Sequence, residues 1–374
     1  MFQNCSQSLS PFCQLAPYIL VALFFTLISD LPHLFSYPLV KIIFLSSSQF
    51  FFFFPGIKVT RKGKIIIKNL QNTKHLSNKN QITALNWGDD AERDILMGLS
   101  DQSVKVYDTE HKQFISSFEA KHGKGPIIGL AKFNRHILAG YKSGDVKFLN
   151  CDNHKMMRTE WRVGPSLDSM KVKKHLMATG GEENQLKLWD LNSTKLIYHA
   201  KNVKPDFLDL KVPVFISDIG FFPSNDKIVY CSKHGHVRIH DPSVSQKRPV
   251  LDMSVKSNNG DPHVLTALAI APMREQHVVV GSAAGQMSLL DLRHKGIPIK
   301  KYKSFRGSIK AIAVPETEPI ILTVSLDRFF RIHNMFNHGL RYQQYFQSRL
   351  SSILIRSNFS MSSKGTKEDV EILD

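Results

Sequence analysis

The feature of this sequence that most limits its possible folds is an internal repeat. Six segments begin at Ile82, Ile127, Leu167, Ile216, Leu265 and Ile309, at spacings of 40 to 49 residues. The first reads "ITALNW…ILMGLSDQSVKVYD" and the sixth "IKAIAV…IILTVSLDRFFRIHN". Each holds three short apolar-rich runs. The second ends in small residues and a tight turn, and the third usually ends in Asp or Asn. A fourth run follows: "FISSFE", "MRTEWRV", "LIYHAKN", "RPVLDMSV", "KKYKSF" and "YQQYFQ". Four strands at this period make one blade of a β-propeller, a unit that cannot bury its faces alone and must stack on its neighbours.

The pattern predicts a next start near residue 353, where "SSILIRS" supplies a single strand. At the other end, "GIKVTRKGKIIIKNLQNTKHLS" reads as the second, third and fourth strands of a unit with no first strand. Together they predict an all-β, seven-bladed propeller over residues 56–357. Its seventh blade is closed by N- and C-terminal strands, which removes the open sheet edges. Phe50 to Gly56 then stands where a second strand belongs, and Pro55 with Gly56 makes a poor one. The closure is expected to fray there, with nothing upstream required by the ring. Residues 358–374 read as a short disordered polar tail.

Residues 1–55 form a hydrophobic leader whose only Asp, Glu, Lys or Arg residues are Asp30 and Lys41. Tyr18 to Ser29 is wholly apolar or small, but shorter than the ~20 residues of a spanning helix. It suits a signal-peptide core, yet no Lys or Arg precedes it. "SSSQFFFFFPG" matches what a pyrimidine tract and its splice acceptor would encode. The favoured reading is therefore translated intron, foreign to the repeat domain. A signal or anchor, and a genuine structural extension, are the alternatives.

The 374 residues carry a net charge of +17, and the surplus cations lie beyond the leader. Such a surface favours polyanionic partners (nucleic acid, anionic lipid or acidic protein segments), or is simply a solvated basic exterior. The four cysteines, Cys5, Cys13, Cys151 and Cys231, include no C-x-x-C pair and no zinc spacing. There is no G-x-x-x-x-G-K-[ST] loop, no H-E-x-x-H and no G-x-S-x-G. Sixteen histidines are scattered without ligand spacing. No catalytic residue, metal or cofactor is expected, and the protein reads as a non-enzyme.

The third run "LKLWDL" has Trp189 and Asp190, the Trp-Asp ending of a WD repeat, and the equivalent runs are degenerate. In such repeats an Asp ahead of the third strand ties the turn by hydrogen bonds. Asp101 and Asp327 occupy that place, and Ser143, Glu183, His234 and Ala284 replace it elsewhere. Asp101, Asp327, Trp189 and Asp190 are thus expected to be structural.

Several longer stretches carry a more specific signal. They include "GGEENQLKLWDL" (180–191), "AKNVKPDFLDLKVPV" (200–214), "VRIHDPSVSQKRPVL" (237–251), "VGSAAGQMSLLDLR" (280–293) and "SLDRFFRIH" (325–333). From about residue 57 to 356 the chain resembles the WD repeat-containing protein 74 family, nucleolar WD40 propellers of large ribosomal subunit assembly. The resemblance implies a non-catalytic scaffold in the nucleolus of the nucleus that binds pre-60S ribosomal particles with their pre-rRNA. It also implies an AAA ATPase remodeller and an exosome-linked RNA helicase as partners. The propeller is expected to be monomeric and not membrane-bound.

Lys201 to Pro213, "KNVKPDFLDLKVP", lies between the fourth strand of one unit and the first of the next, where loops open on a propeller face. Apolar residues ringed by charge are the pattern of a protein-binding anchor, so Lys201, Asn202, Lys204, Asp206, Phe207 and Asp209 are candidate partner contacts. The turn with Glu182, Glu183 and Asn184 could capture a basic partner. Arg162, Arg238, Lys247, Arg248 and Arg328 are candidate contacts for RNA phosphates or acidic residues. Arg331 alternates with apolar neighbours, so pairing with a carboxylate is expected. Asp291 and Arg293 in "LLDLR" match the Asp-x-Arg end of the box that docks some WD propellers on a cullin-ligase adaptor, which keeps a ubiquitin-ligase substrate receptor as the alternative.

Overall fold

In the computed structural model of the protein, described for residues 41–46, 55–59, 65–69, 81–150, 161–205, 208–256, 260–274, 276–294, 298–302, 304–346, 349–357 and 359, every regular element is a β-strand. All of these residues belong to the compact unit Val40–Asp374. First come β1 (Lys41–Ser46), β2 (Pro55–Val59) and β3 (Ile65–Asn69). Six sheets of four consecutive strands follow. They are β4 to β7 (Ile82–Trp87, Asp94–Leu99, Ser103–Asp108, Gln113–Glu119), β8 to β11 (Ile127–Phe133, His136–Tyr141, Asp145–Asn150, Trp161–Arg162) and β12 to β15 (Ser169–Lys173, Leu176–Gly181, Asn184–Asp190, Lys195–His199). Then come β16 to β19 (Ile216–Phe221, Ile228–Ser232, His236–His240, Leu251–Ser254), β20 to β23 (Leu265–Ile270, His277–Ser282, Met287–Asp291, Pro298–Tyr302) and β24 to β27 (Ile309–Ala313, Ile320–Ser325, Phe329–Asn334, Leu340–Tyr345). The last strand is β28 (Leu350–Ile355), which forms a sheet with β1, β2 and β3.

The burial of each strand follows its place in the sheet. Second strands are covered on both faces by neighbouring sheets and are apolar almost throughout, as in "HVVVGS" and "IILTVS". Fourth strands are edges and alternate exposed with half-buried residues, as in "LRYQQY". The core therefore lies between sheets. Leu96, Val104 and Phe118 pack against Ile127, Leu130 and Ile137 of the next sheet, and Val229 and Val237 against Leu265 and Val280.

Three of the first strands, β4, β16 and β20, share a device that ties each to the next sheet. The register shifts between Ile82 and Ala84, Ile216 and Asp218, and Leu265 and Ala267, leaving Thr83, Ser217 and Thr266 as bulged residues. A bulge re-aims its side chain. Here each hydroxyl donates to the carbonyl that opens the next first strand: Thr83 to Ile127 at 2.6 Å, Ser217 to Leu265 at 2.8 Å and Thr266 to Ile309 at 2.6 Å. Successive first strands are neighbours from β4 through β24 to β28, and β28 lies beside β4 again.

The C-terminal run joins the two ends of this row. β28 pairs antiparallel with β1, Ile42 facing Ile355 and Phe44 facing Ile353. The Trp87 indole donates to the Ile355 carbonyl at 3.0 Å, and the Ser357 N–H donates to the Glu92 carboxylate at 2.9 Å. The Arg356 guanidinium lies over the Trp87 ring and donates to the Thr109 hydroxyl at 3.0 Å. Phe359, read from sequence as part of a polar tail, is fully buried beside Leu350 and Ile320.

The strand register near the Phe run differs from the sequence expectation. The second strand of this sheet is Lys41–Ser46, upstream of the Phe run, and Pro55–Val59 is the third strand. Ile42 to Leu45 is apolar without a break and begins with two β-branched residues, whereas Pro55 is tolerated because it opens its strand. Of the leader read from sequence over residues 1–55, Lys41–Ser46 is thus a strand of this sheet, whereas residues 1–40 and 47–54, which include Phe50 to Phe54, and residues 360–374 lie outside the described residues.

The turn before each third strand needs a left-handed residue, supplied by Gln102 (φ 65°), Gly144 (84°), Glu183 (51°), Gly235 (81°), Gly285 (78°) and Arg328 (69°). This corrects one alignment: Glu182, not Glu183, stands at the position of Asp101 and Asp327. At Gly144 a Cβ would also stand 2.0 Å from the Gly164 carbonyl oxygen, whereas at Gly260, with φ of 88°, it would meet nothing within 4 Å. Gly144→Ala should therefore lose clearly more stability in urea unfolding than Gly260→Ala, which should show only the ~1–2 kcal/mol of a left-handed residue; equal losses would contradict the close approach. Phe359→Ala should cost about 3–5 kcal/mol, as for other buried aromatic truncations, and a loss under about 1 kcal/mol would mean that the residue does not secure the closure.

Candidate functional site

Alternating strand direction places the β13–β14 turn and the 200–215 connection at the same end of one sheet. They are tied together there. The Glu183 N–H donates to the Val214 carbonyl at 2.9 Å, and Glu182 bridges to Phe215. The base of the longer loop is pinned by Asn202, whose amide donates to the Val212 carbonyl at 2.6 Å. Lys201 and Lys204 are exposed, and Asp209 is exposed with a φ of 59°. Leu208 and Leu210 are 63% and 60% exposed, among the described residues the highest values for large apolar side chains apart from Val250 at 61%. Asp206 and Phe207, the expected centre of the anchor, lie outside the described residues.

A third segment arrives from the next sheet. The 241–250 connection between β18 and β19 crosses over, and the Lys201 N–H donates to the Lys247 carbonyl at 2.7 Å. The same carbonyl accepts the Tyr198 hydroxyl at 3.1 Å, and that hydroxyl meets His240 Nδ1 at 3.0 Å. Pro165, Glu183, Lys187, His199, Lys201 and Lys247 thereby surround a cavity of about 410 Å³.

The charges at this cavity are cationic. The half-buried Lys187 ammonium donates to the Val163 carbonyl at 2.6 Å and to Asn184 Oδ1 at 3.0 Å. Burial pushes its pKa below the usual lysine range. Partial desolvation, with the Lys187 and Lys247 cations, lowers the pKa of the exposed His199 from the usual histidine value. Asn184, expected from sequence as a partner contact, is instead a buried strut whose amide donates to the Ser166 carbonyl at 2.7 Å.

The remaining basic candidates separate by burial. Arg162, Arg248 and Arg328 are exposed and do not line the cavity. Arg328 donates to the Tyr345 hydroxyl at 3.0 Å. Arg238 corrects the expectation: it is 2% exposed, and its Nε donates to Asp252 Oδ1 at 3.1 Å. It cannot reach a polyanion, because its strand is covered by the neighbouring sheet. Arg293 closes back on Asp291 through both carboxylate oxygens, and that bond holds the Asp291 carboxyl down at about 2.

The turn residues make the following bonds. Asp101 accepts from the Ser103 N–H at 2.9 Å, and Asp190 accepts from the Asn192 N–H at 3.1 Å. The Trp189 indole donates to the Thr179 hydroxyl at 3.0 Å. Asp327 accepts from the Phe329 N–H at 3.0 Å and pairs with the buried Arg331 at 2.8 Å. Arg331 is flanked by the Phe305 and Phe329 rings. Among the described residues no group of three His, Cys, Asp or Glu is placed to hold a metal ion, and no helix is long and apolar enough to cross a membrane.

Comparison with known proteins places this arrangement. The chain is 35% identical over 283 residues to WD repeat-containing protein 74 of Bos taurus, covering 73% of this chain and 71% of that protein. The Homo sapiens protein of the same name is 34% identical over 282 residues, with the same two coverages. The chain belongs to the WD repeat-containing protein 74 family. A more distant relative is "Ribosome biogenesis protein NSA1" of Meyerozyma guilliermondii, 23% identical over 68% of this chain and 73% of that one. No family model matches. Among solved structures, the computationally designed Ika8 protein shares the fold, with a TM-score of 0.52, 15% identity, and coverage of 73% of this chain and 90% of that one.

Within this WD repeat-containing protein 74 relative, sequence reasoning found the two loops and Lys247 but missed Lys187 and His199 as part of the same site. Lys187 alternates with Leu186 and Leu188 as any outward residue of a strand would, so only the sheet packing marks it.

The Asp327–Arg331 pair generates a pH prediction. Burial opposes ionisation of Asp327, but the bonds from Arg331, Ser325 and the Phe329 N–H prevail and bring its carboxyl below the usual range. A carboxylate depressed in the folded state adds stability that is complete above the unfolded value, about 4, and is lost as pH falls through the folded value. Asp327→Asn should cost about 3 kcal/mol at pH 7, since it leaves a buried guanidinium unpaired. The cost measured by urea unfolding should shrink towards pH 3, and a cost independent of pH would contradict the pairing.

Proposed function

We propose that the chain is a ribosome biogenesis factor, a non-catalytic scaffold in assembly of the large (60S) ribosomal subunit, working in the nucleolus on pre-60S particles during pre-rRNA processing. The observation that carries this reading is the family membership, at 35% identity over 71% of WD repeat-containing protein 74, joined to a second set of relatives whose name is "Ribosome biogenesis protein NSA1". In this reading the β28–β1–β2–β3 sheet is the seventh blade of a closed ring. A closed ring holds its loops in fixed positions, so binding orders few residues and loses little affinity to entropy. The 200–215 loop and the adjoining cavity give partner identity. The exposed Arg162, Arg248 and Arg328 add contacts to pre-rRNA or acidic protein segments. An AAA ATPase releases the factor, and an exosome-linked RNA helicase acts on the same particle.

Affinity purification of the chain from the cells that naturally express it, with and without Arg293→Ala, tests the reading against the ubiquitin-ligase alternative. Large-subunit precursor RNA and proteins should be recovered equally with both forms. Recovery of a cullin adaptor that Arg293→Ala abolishes, without precursor RNA, would overturn it. That Arg293 is already closed on Asp291 favours the first outcome.

A further inference from the structure

Three lysines meet at the cavity between β14, β15, the 200–215 loop and the 241–250 connection, and the lining residues include a single carboxylate, Glu183. The bond from the Lys201 N–H to the Lys247 carbonyl holds these two residues together although they belong to neighbouring sheets. Both side chains are exposed, and among the described residues neither ammonium forms an ion pair. Lys187 has two of its three N–H donors engaged, by Val163 and Asn184, which leaves one for an acceptor from outside. His199 completes the wall, its pKa lowered by partial desolvation and the Lys187 and Lys247 cations. Cationic side chains lining one cavity give it a positive potential that favours an anion.

The segments that contribute to the cavity decide the class of anion. Beside the lining residues in sequence, the same turn and loop expose Glu182, Leu208, Asp209, Leu210 and Lys211, a mixture of both charge signs with two leucines. A nucleic-acid backbone needs a continuous cationic track and would meet carboxylates here. A polypeptide carrying one acidic residue near apolar ones meets complementary groups throughout. We propose that the cavity receives an Asp or Glu carboxylate from an acidic segment of a protein partner, bonded by Lys187, Lys201 and Lys247. This rests on the reading of the 200–215 loop as a partner surface, but not on which particle that partner belongs to.

The test titrates the full chain with an end-blocked hexaglutamate peptide, and in parallel with inorganic phosphate and a hexauridylate RNA, following the His199 ring by NMR. The peptide should bind and raise the His199 pKa, because a carboxylate beside the ring favours its charged form. The double variant Lys201→Gln, Lys247→Gln should keep its unfolding temperature and lose about a hundredfold in peptide affinity, the worth of two charge-assisted hydrogen bonds. An unmoved His199, equal peptide affinity in the variant, or tighter binding of phosphate or RNA at this cavity would each overturn the proposal. If the peptide binds but no ribosomal precursor co-purifies with the chain, the proposed function falls and the cavity assignment stands. The reverse pair of results removes only the cavity assignment.

Discussion

A row of sheets stacked face to face leaves an uncovered apolar face at each end, and only a partner from the other end can cover both. In this chain that partner is β28. It pairs with β1 through Ile42–Ile355 and Phe44–Ile353, lies beside β24 on one side and β4 on the other, and buries Leu350 and Phe359 against Ile320 and Phe330. The bond from the Trp87 indole to the Ile355 carbonyl and that from the Ser357 N–H to Glu92 fasten the first complete sheet to the last strand. The bulged hydroxyls Thr83, Ser217 and Thr266 each tie a first strand to the next. If this row closes as proposed, each first strand has a neighbour on both sides.

The site depends on that rigidity. The β13–β14 turn, the 200–215 loop and the 241–250 connection come from two sheets and meet through main-chain bonds, Glu183 to Val214 and Lys201 to Lys247. Their side chains are left for other work. The buried members, Asn184 and half-buried Lys187, hold the wall, while Lys201 and Lys247 face solvent. The buried arginines elsewhere, Arg331 paired with Asp327 and Arg238 paired with the exposed Asp252, belong to the scaffold. The formal charge of the chain thus overstates the cations available to a partner.

Much of the fold was legible because the repeat is a consequence of packing. Second strands such as "IILTVS" must be apolar on both faces, and edge strands such as "LRYQQY" need not be, so composition alone gives the order of strands. The 200–215 loop was legible from its length between periodic units. The seam was misread because Pro55 and Gly56 drew attention to the Phe run, whereas the apolar run Lys41–Ser46 had no neighbouring repeat to align with. Arg238 was misread because "VRIH" does not show that its strand is covered on both sides. The meeting of Lys247 with Lys201 had no signal in sequence, since it arises from a connection that crosses between sheets.

The most direct test of ring closure is native-state hydrogen exchange of the β28 amides. The account predicts that the amides of Ser352 to Ile355 exchange as slowly as those of Ile320 to Ser325 in β25, through the same global opening. Exchange of the β28 amides at the rate of an unprotected chain, with β25 still protected, would contradict the claim that this strand closes the molecule.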